Sequence, residues 1–115
     1  MAGFIFSKAA ERDISEIMRV SLRNFGRTAA ARYKKLILQS IHALAKNPSR
    51  PEVRKHDRGV YIFHLRHCIK QSTVRGAGVR TPRHFIAYRI QPSGTLEIVR
   101  ILYDAMDIDR HLSKA

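Results

Sequence analysis

Histidines, arginines and one tyrosine in the second half of the chain are the side chains best suited to chemistry. His64, Arg66, Arg89 and Arg100 fall in apolar stretches, at spacings that could place them on one face of a sheet. Such a face could hold a phosphate chain, and an arginine could stabilise a pentacoordinate phosphate. Metal-free cleavage of RNA needs a base for the 2′-hydroxyl and an acid for the leaving oxygen. His64, His84 and Tyr103, with Arg89 for charge, are the groups that could serve. The same side chains could instead make an electrostatic docking face without any reaction. Spacing alone favours docking, because a base–acid pair is defined by geometry. No acidic cluster, His-x₃-His or paired cysteine suggests metal ligands, and no cofactor is expected. The lone Cys68 beside His67 reads as an incidental thiol, since strand neighbours point to opposite faces.

The elements that would position these groups centre on Leu96–Leu102, a run rich in Ile, Val and Leu. Such a run reads as an interior strand buried on both faces. Asp104, Asp107 and Asp109 follow, then Arg110, His111 and Leu112. This is one helical turn with acids first and bases last, as the helix dipole favours. A tail leaving from inside a sheet can serve as a working end.

Upstream, Phe4-Ile5-Phe6 reads as a short strand, and Ser7 as the cap of a following helix. Ile14, Ile17, Met18, Leu22 and Phe25 repeat at helical spacing as one apolar stripe. Gly26 is expected to end that helix. Ala30, Tyr33, Ile37, Ile41 and Leu44 make a second stripe, closed by Asn47-Pro48. Two helices joined this tightly must run as an antiparallel hairpin, and their stripes need a sheet to lie on. Val60–Arg66, Phe85–Ile90 and Leu96–Leu102 supply three strands, with Pro51–Gly59 as a polar loop and Ile69–Arg83 as a long basic connection. The expectation is an α+β domain spanning residues 1–115: a helical hairpin on a small, mainly antiparallel twisted sheet, in the order β-α-α-β-β-β, closed by a short C-terminal helix.

The 115 residues suit one modest core. No apolar run reaches membrane-spanning length, and with a single cysteine the expectation is a cytoplasmic protein away from membranes. The net charge of +13 concentrates in residues 50–89, which hold ten Lys/Arg against two acids. A field of that sign favours nucleic acid, a nucleic-acid machine or an acidic protein.

The chain resembles the ParE branch of the RelE/ParE toxins of bacterial toxin–antitoxin pairs. The resemblance rests on Phe6-Ser7-Lys8 with Asp13, Ile14 and Ile17; on Phe25-Gly26 with Ala30 and Tyr33; on Leu44-Ala45 with Pro48; on His84–Arg89; and above all on Glu97–Tyr103, Met106-Asp107 and Arg110-His111-Leu112. It implies the same hairpin-on-sheet fold. It also implies a toxin that poisons DNA gyrase without catalysis, is neutralised by a cognate ParD-like antitoxin, and assembles with it as a higher-order hetero-oligomer. The working face so implied comprises Arg66, Arg89, Arg100, Tyr103, Met106, Asp107 and Arg110. The RelE-like alternative is a ribosome-dependent mRNA endonuclease using His64, His84, Arg89 and Tyr103. A further alternative is an inactive member that only binds its antitoxin. The tail Asp104-Ala-Met-Asp107 departs from the nuclease pattern, because it would place acid near a substrate phosphate. The long basic connection departs from a typical ParE.

Overall fold

In the computed structural model, residues 3–68, 81–105 and Leu112 are described. Strand β1 (Phe4–Phe6) leads into helix α1 (Lys8–Lys46). Then come β2 (Arg54–Lys55), β3 (Tyr61–His64), β4 (His84–Ile90) and β5 (Leu96–Tyr103), with 3₁₀ turns at Asp57–Gly59 and Leu65–Cys68. The five strands are ordered β1-β5-β4-β3-β2. Only the β1–β5 pairing is parallel among the pairings described. β5 is therefore interior, in keeping with a sequence in which neither alternating face is polar throughout.

α1 begins where Ser7 caps it: the Ser7 hydroxyl oxygen accepts the Ala10 N–H at 3.0 Å. The same hydroxyl donates to the Val99 carbonyl at 2.7 Å, which fixes the helix start to β5. A straight 39-residue helix would be about 58 Å long, yet the molecule's longest dimension is 38 Å. The helix is broken at Gly26, which sits at φ 85° and ψ 176°. Only glycine adopts that backbone readily. The two arms, 8–25 and 27–46, are the two expected helices. The open space around a β-carbon at Gly26 means that substitution there meets backbone strain rather than a clash. Gly26→Ala should therefore cost about 1–3 kcal/mol, read as a lower denaturant midpoint at unchanged slope. An unchanged midpoint would mean that the bend is not under this constraint.

The arms bury Ile17, Leu36, Ile37, Ile41 and Leu44 against Phe63, Ile86, Tyr88, Leu96, Ile98 and Ile101. The Tyr88 hydroxyl donates to the Pro48 carbonyl at 2.7 Å and so ties the helix end to the sheet. On the other sheet face Val60, Phe85, Ala87 and Leu102 form a second cluster, covered by Leu112 of the tail. His64 lies on that face, which reads from sequence as a possible docking face. In the structure its centre is closed by the chain itself.

Three details differ from the sequence expectation. A two-residue strand, β2, pairs with β3 inside the segment read as a loop. The strand expected to run to Arg66 stops at His64 and turns into a 3₁₀ helix. The reason is that Leu65 and Cys68 both enter the main core. Residues three apart share a side in a helical turn, never in a strand. Finally, β5 carries a bulge: Ala87 pairs with Arg100 but Tyr88 pairs with Ile98, leaving Val99 over. The predicted C-terminal helix lies outside the described residues except for Leu112, and so does most of the 69–83 connection.

Candidate functional site

Strand alternation separates the candidate histidines. His64 pairs with Phe85, which belongs to the face covered by Leu112. His84 precedes Phe85 and so lies on the helix side. There it meets Tyr33 from the second arm and Tyr103 from β5, with ring centroids at 5.5 and 5.8 Å. The Tyr33 oxygen accepts the Arg83 N–H at 3.1 Å. The same hydroxyl shares a hydrogen bond with His84 Nδ1, 2.6 Å away. Burial pushes the His84 imidazole down to about 4 and the Tyr33 hydroxyl up to about 12. Near neutral pH this pair is therefore an uncharged hydrogen-bonded latch between α1 and β4.

His64 belongs to a different set. Its Nδ1 accepts the Arg66 N–H at 3.1 Å, so Nε2 carries the proton and donates to Asp104, 3.0 Å away. The other Asp104 oxygen accepts Arg83 Nε at 3.2 Å. The hydrogen bond from His64, reinforced by the Arg83 guanidinium, holds the Asp104 carboxyl below its usual range. Arg83 also lies over the Tyr103 ring, 5.3 Å from its centroid. The carboxylate expected near a substrate phosphate thus binds one nuclease candidate, His64, and the neighbouring Arg83.

The remaining predicted residues do not join these groups. Arg66 has left the strand for the 3₁₀ turn. Arg89 pairs across from Glu97, five residues along β4 from His84 and hence about 17 Å away. Arg100, expected on an open face, is turned by the bulge toward the first arm. There Asp13 accepts its Nε at 2.8 Å and its Nη2 at 3.0 Å. Asp13 also accepts the Ile101 N–H at 2.9 Å. Tyr103 is 39% exposed and lies beside His84. Met106, Asp107 and Arg110 lie outside the described residues. Cys68 is buried in the main core. Among the described residues no group of three or more His, Cys, Asp or Glu could hold a metal, and no helix is long and apolar enough to cross a membrane.

Between the bend of α1 and the end of the sheet runs a groove of about 760 Å³. The first arm lines it with Ile17, Val20 and Phe25, the second with Arg32 and Tyr33, and the sheet with His84 and Tyr103. Arg32 adds positive charge at its wall, while Arg83 and Arg100, also in the lining, are paired with Asp104 and Asp13. Glu16, also in the lining, is engaged by Arg19. An apolar floor with a cationic wall suits an amphipathic acidic segment.

Two contributors were not evident from sequence as site residues. Tyr33 reads as one more member of an apolar stripe. Asp13 had a signal: it sits one turn before Ile17, on the stripe's own side, where a carboxylate needs a partner.

The family model for the ParE toxin of the type II toxin–antitoxin system parDE matches residues 4–108. The chain is 26% identical over 117 aligned residues to "Toxin ParE1" of Mycobacterium tuberculosis, covering 95% of this chain and 96% of the relative. In fold it is similar to a chain of the "Chromosomal ParDE TA system from P. aeruginosa", with a TM-score of 0.67 and 14% identity over 90% of this chain and 96% of that one.

Proposed function

The chain belongs to the ParE toxin family of type II toxin–antitoxin systems, and from that premise we propose a cytoplasmic toxin that inhibits DNA gyrase without a reaction of its own. A cognate ParD-like antitoxin neutralises it by folding an acidic amphipathic segment into the groove between α1 and the sheet. The two proteins then form a higher-order hetero-oligomer. The observation that carries this reading over a nuclease is the dispersal of the nuclease candidates. His64 and His84 lie on opposite sheet faces, Arg89 sits at the far end of β4, and Asp104 holds His64 and Arg83. Of the four nuclease candidates only His84 and Tyr103 are in contact, and the arginine beside them, Arg83, is held by Asp104.

The test is a supercoiling assay with intact gyrase and excess purified toxin. The expected result is loss of supercoiling with accumulation of cleaved DNA, reversed by equimolar antitoxin. Undisturbed supercoiling, together with mRNA cut on ribosomes, would transfer the function to the endonuclease reading. In that case Tyr103 beside His84 is the first pair to mutate, because it is the one candidate pair held in contact.

A further inference from the structure

The apolar stripe of the first arm runs past the sheet. Ile17 is 8% exposed, but Leu22 is 50% and Phe25 73% exposed. Residues 22–28 are all exposed, and Phe25 is the most exposed of the large hydrophobic side chains described. Arg23 and Arg27, also exposed, bracket it in sequence. Gly26, in a backbone region that side chains avoid, makes the turn sharp and defined. An aromatic ring therefore stands at the apex of a bend, ready to bind at small entropic cost. A bulky apolar pair with a guanidinium rim has the composition of a protein-interface hot spot.

We infer that this bend is the surface that engages the toxin's target, inserting Phe25 and Leu22 into an apolar cleft on an acidic protein surface. The inference rests on the reading that the target is gyrase. The charge of +13 selects an acidic partner. A protein cleft fits better than nucleic acid, because a strand-binding platform stacks successive bases on several aromatic rings. The bend offers one ring and an aliphatic side chain that cannot stack. Phe25 also forms part of the groove lining. A segment seated in the groove would cover that ring, so antitoxin and target compete for Phe25.

The experiment measures intact gyrase binding and half-inhibition of supercoiling for the wild type, Phe25→Ala, and Leu22→Ala with Phe25→Ala. Circular dichroism and thermal unfolding serve as folding controls, and binding to bare DNA is measured in parallel. The expected result is a loss of about tenfold for the single and about a hundredfold for the double variant, with unchanged folding. Wild-type potency in the double variant would overturn the inference while leaving the gyrase reading in place. A wild type that does not touch gyrase would remove both. A loss of bare-DNA binding that accounts for the whole effect would also overturn it, in favour of a nucleic-acid contact.

Discussion

Asp13→Ala is expected to lower the stability of the protein by about 3 kcal/mol, more than any other exchange of a partly exposed side chain considered above. One carboxylate accepts three hydrogen bonds, two from Arg100 in a bidentate fork and one from the Ile101 backbone. The bulge at Val99 has already interrupted the regular ladder of β5. Removing the carboxylate leaves a mostly enclosed guanidinium and an N–H without that acceptor. Losing one partner is worse than losing both. Arg100→Met in the Asp13→Ala background should therefore cost less than in the wild type, with a coupling of about 1–2 kcal/mol in a denaturant double-mutant cycle. Strictly additive effects would mean that the pair is a surface contact only. Because Arg100 and Ile101 both line the groove, the same variant should also weaken antitoxin binding.

The second large effect is a loss of stability on acidification through the range in which His84 titrates. Burial is the main cause of the fall in its pKa to about 4 from the ordinary histidine value of 6.5. Between those values the unfolded chain binds a proton that the folded chain does not. Stability is therefore complete above pH 6.5 and falls as the pH drops toward 4. The full difference corresponds to about 3 kcal/mol, reduced to about 2 because the ring keeps some solvent contact. A protonated His84 can keep its contact with Tyr33 only by reversing it, with Nδ1–H donating to the Tyr33 oxygen, so the latch between α1 and β4 then holds a charged ring in a largely buried site. Asp104 acts in the same direction but lower: its carboxyl is depressed, so its contribution is lost as the pH falls through the carboxylate range. Unfolding by urea at about pH 7 and about pH 4.5 should show a gap of about 2 kcal/mol that His84→Gln removes. An equal gap in that variant would assign the acid sensitivity to other groups.

These two residues mark the boundary of what could be read without coordinates. The helical hairpin was legible because two stripes of period 3.6 meet at Phe25-Gly26, and only a glycine there lets the chain reverse within one residue. The interior strand was legible because Leu96–Tyr103 has no polar side to give to solvent. The capping of α1 by Ser7 was legible because the bond is local in sequence.

The candidate site was much less legible. Alternation predicted from sequence assumed that Val60–Arg66 and Leu96–Leu102 were regular strands. The 3₁₀ turn at Leu65–Cys68 and the bulge at Val99 each break that phase. One takes Arg66 off the sheet, and the other turns Arg100 to Asp13. Neither break has a glycine or proline to announce it, and the first follows from Leu65 and Cys68 packing into a core built from distant parts of the chain. Periodicity and composition were enough for the class of fold and for the sign of charge that a partner would complement, and the order of short motifs along the chain was enough for the family. Which side chains meet was decided only by tertiary structure. The Tyr33–His84, His64–Asp104 and Asp13–Arg100 pairs join residues 51, 40 and 87 positions apart. Nothing local to either partner encodes such a meeting.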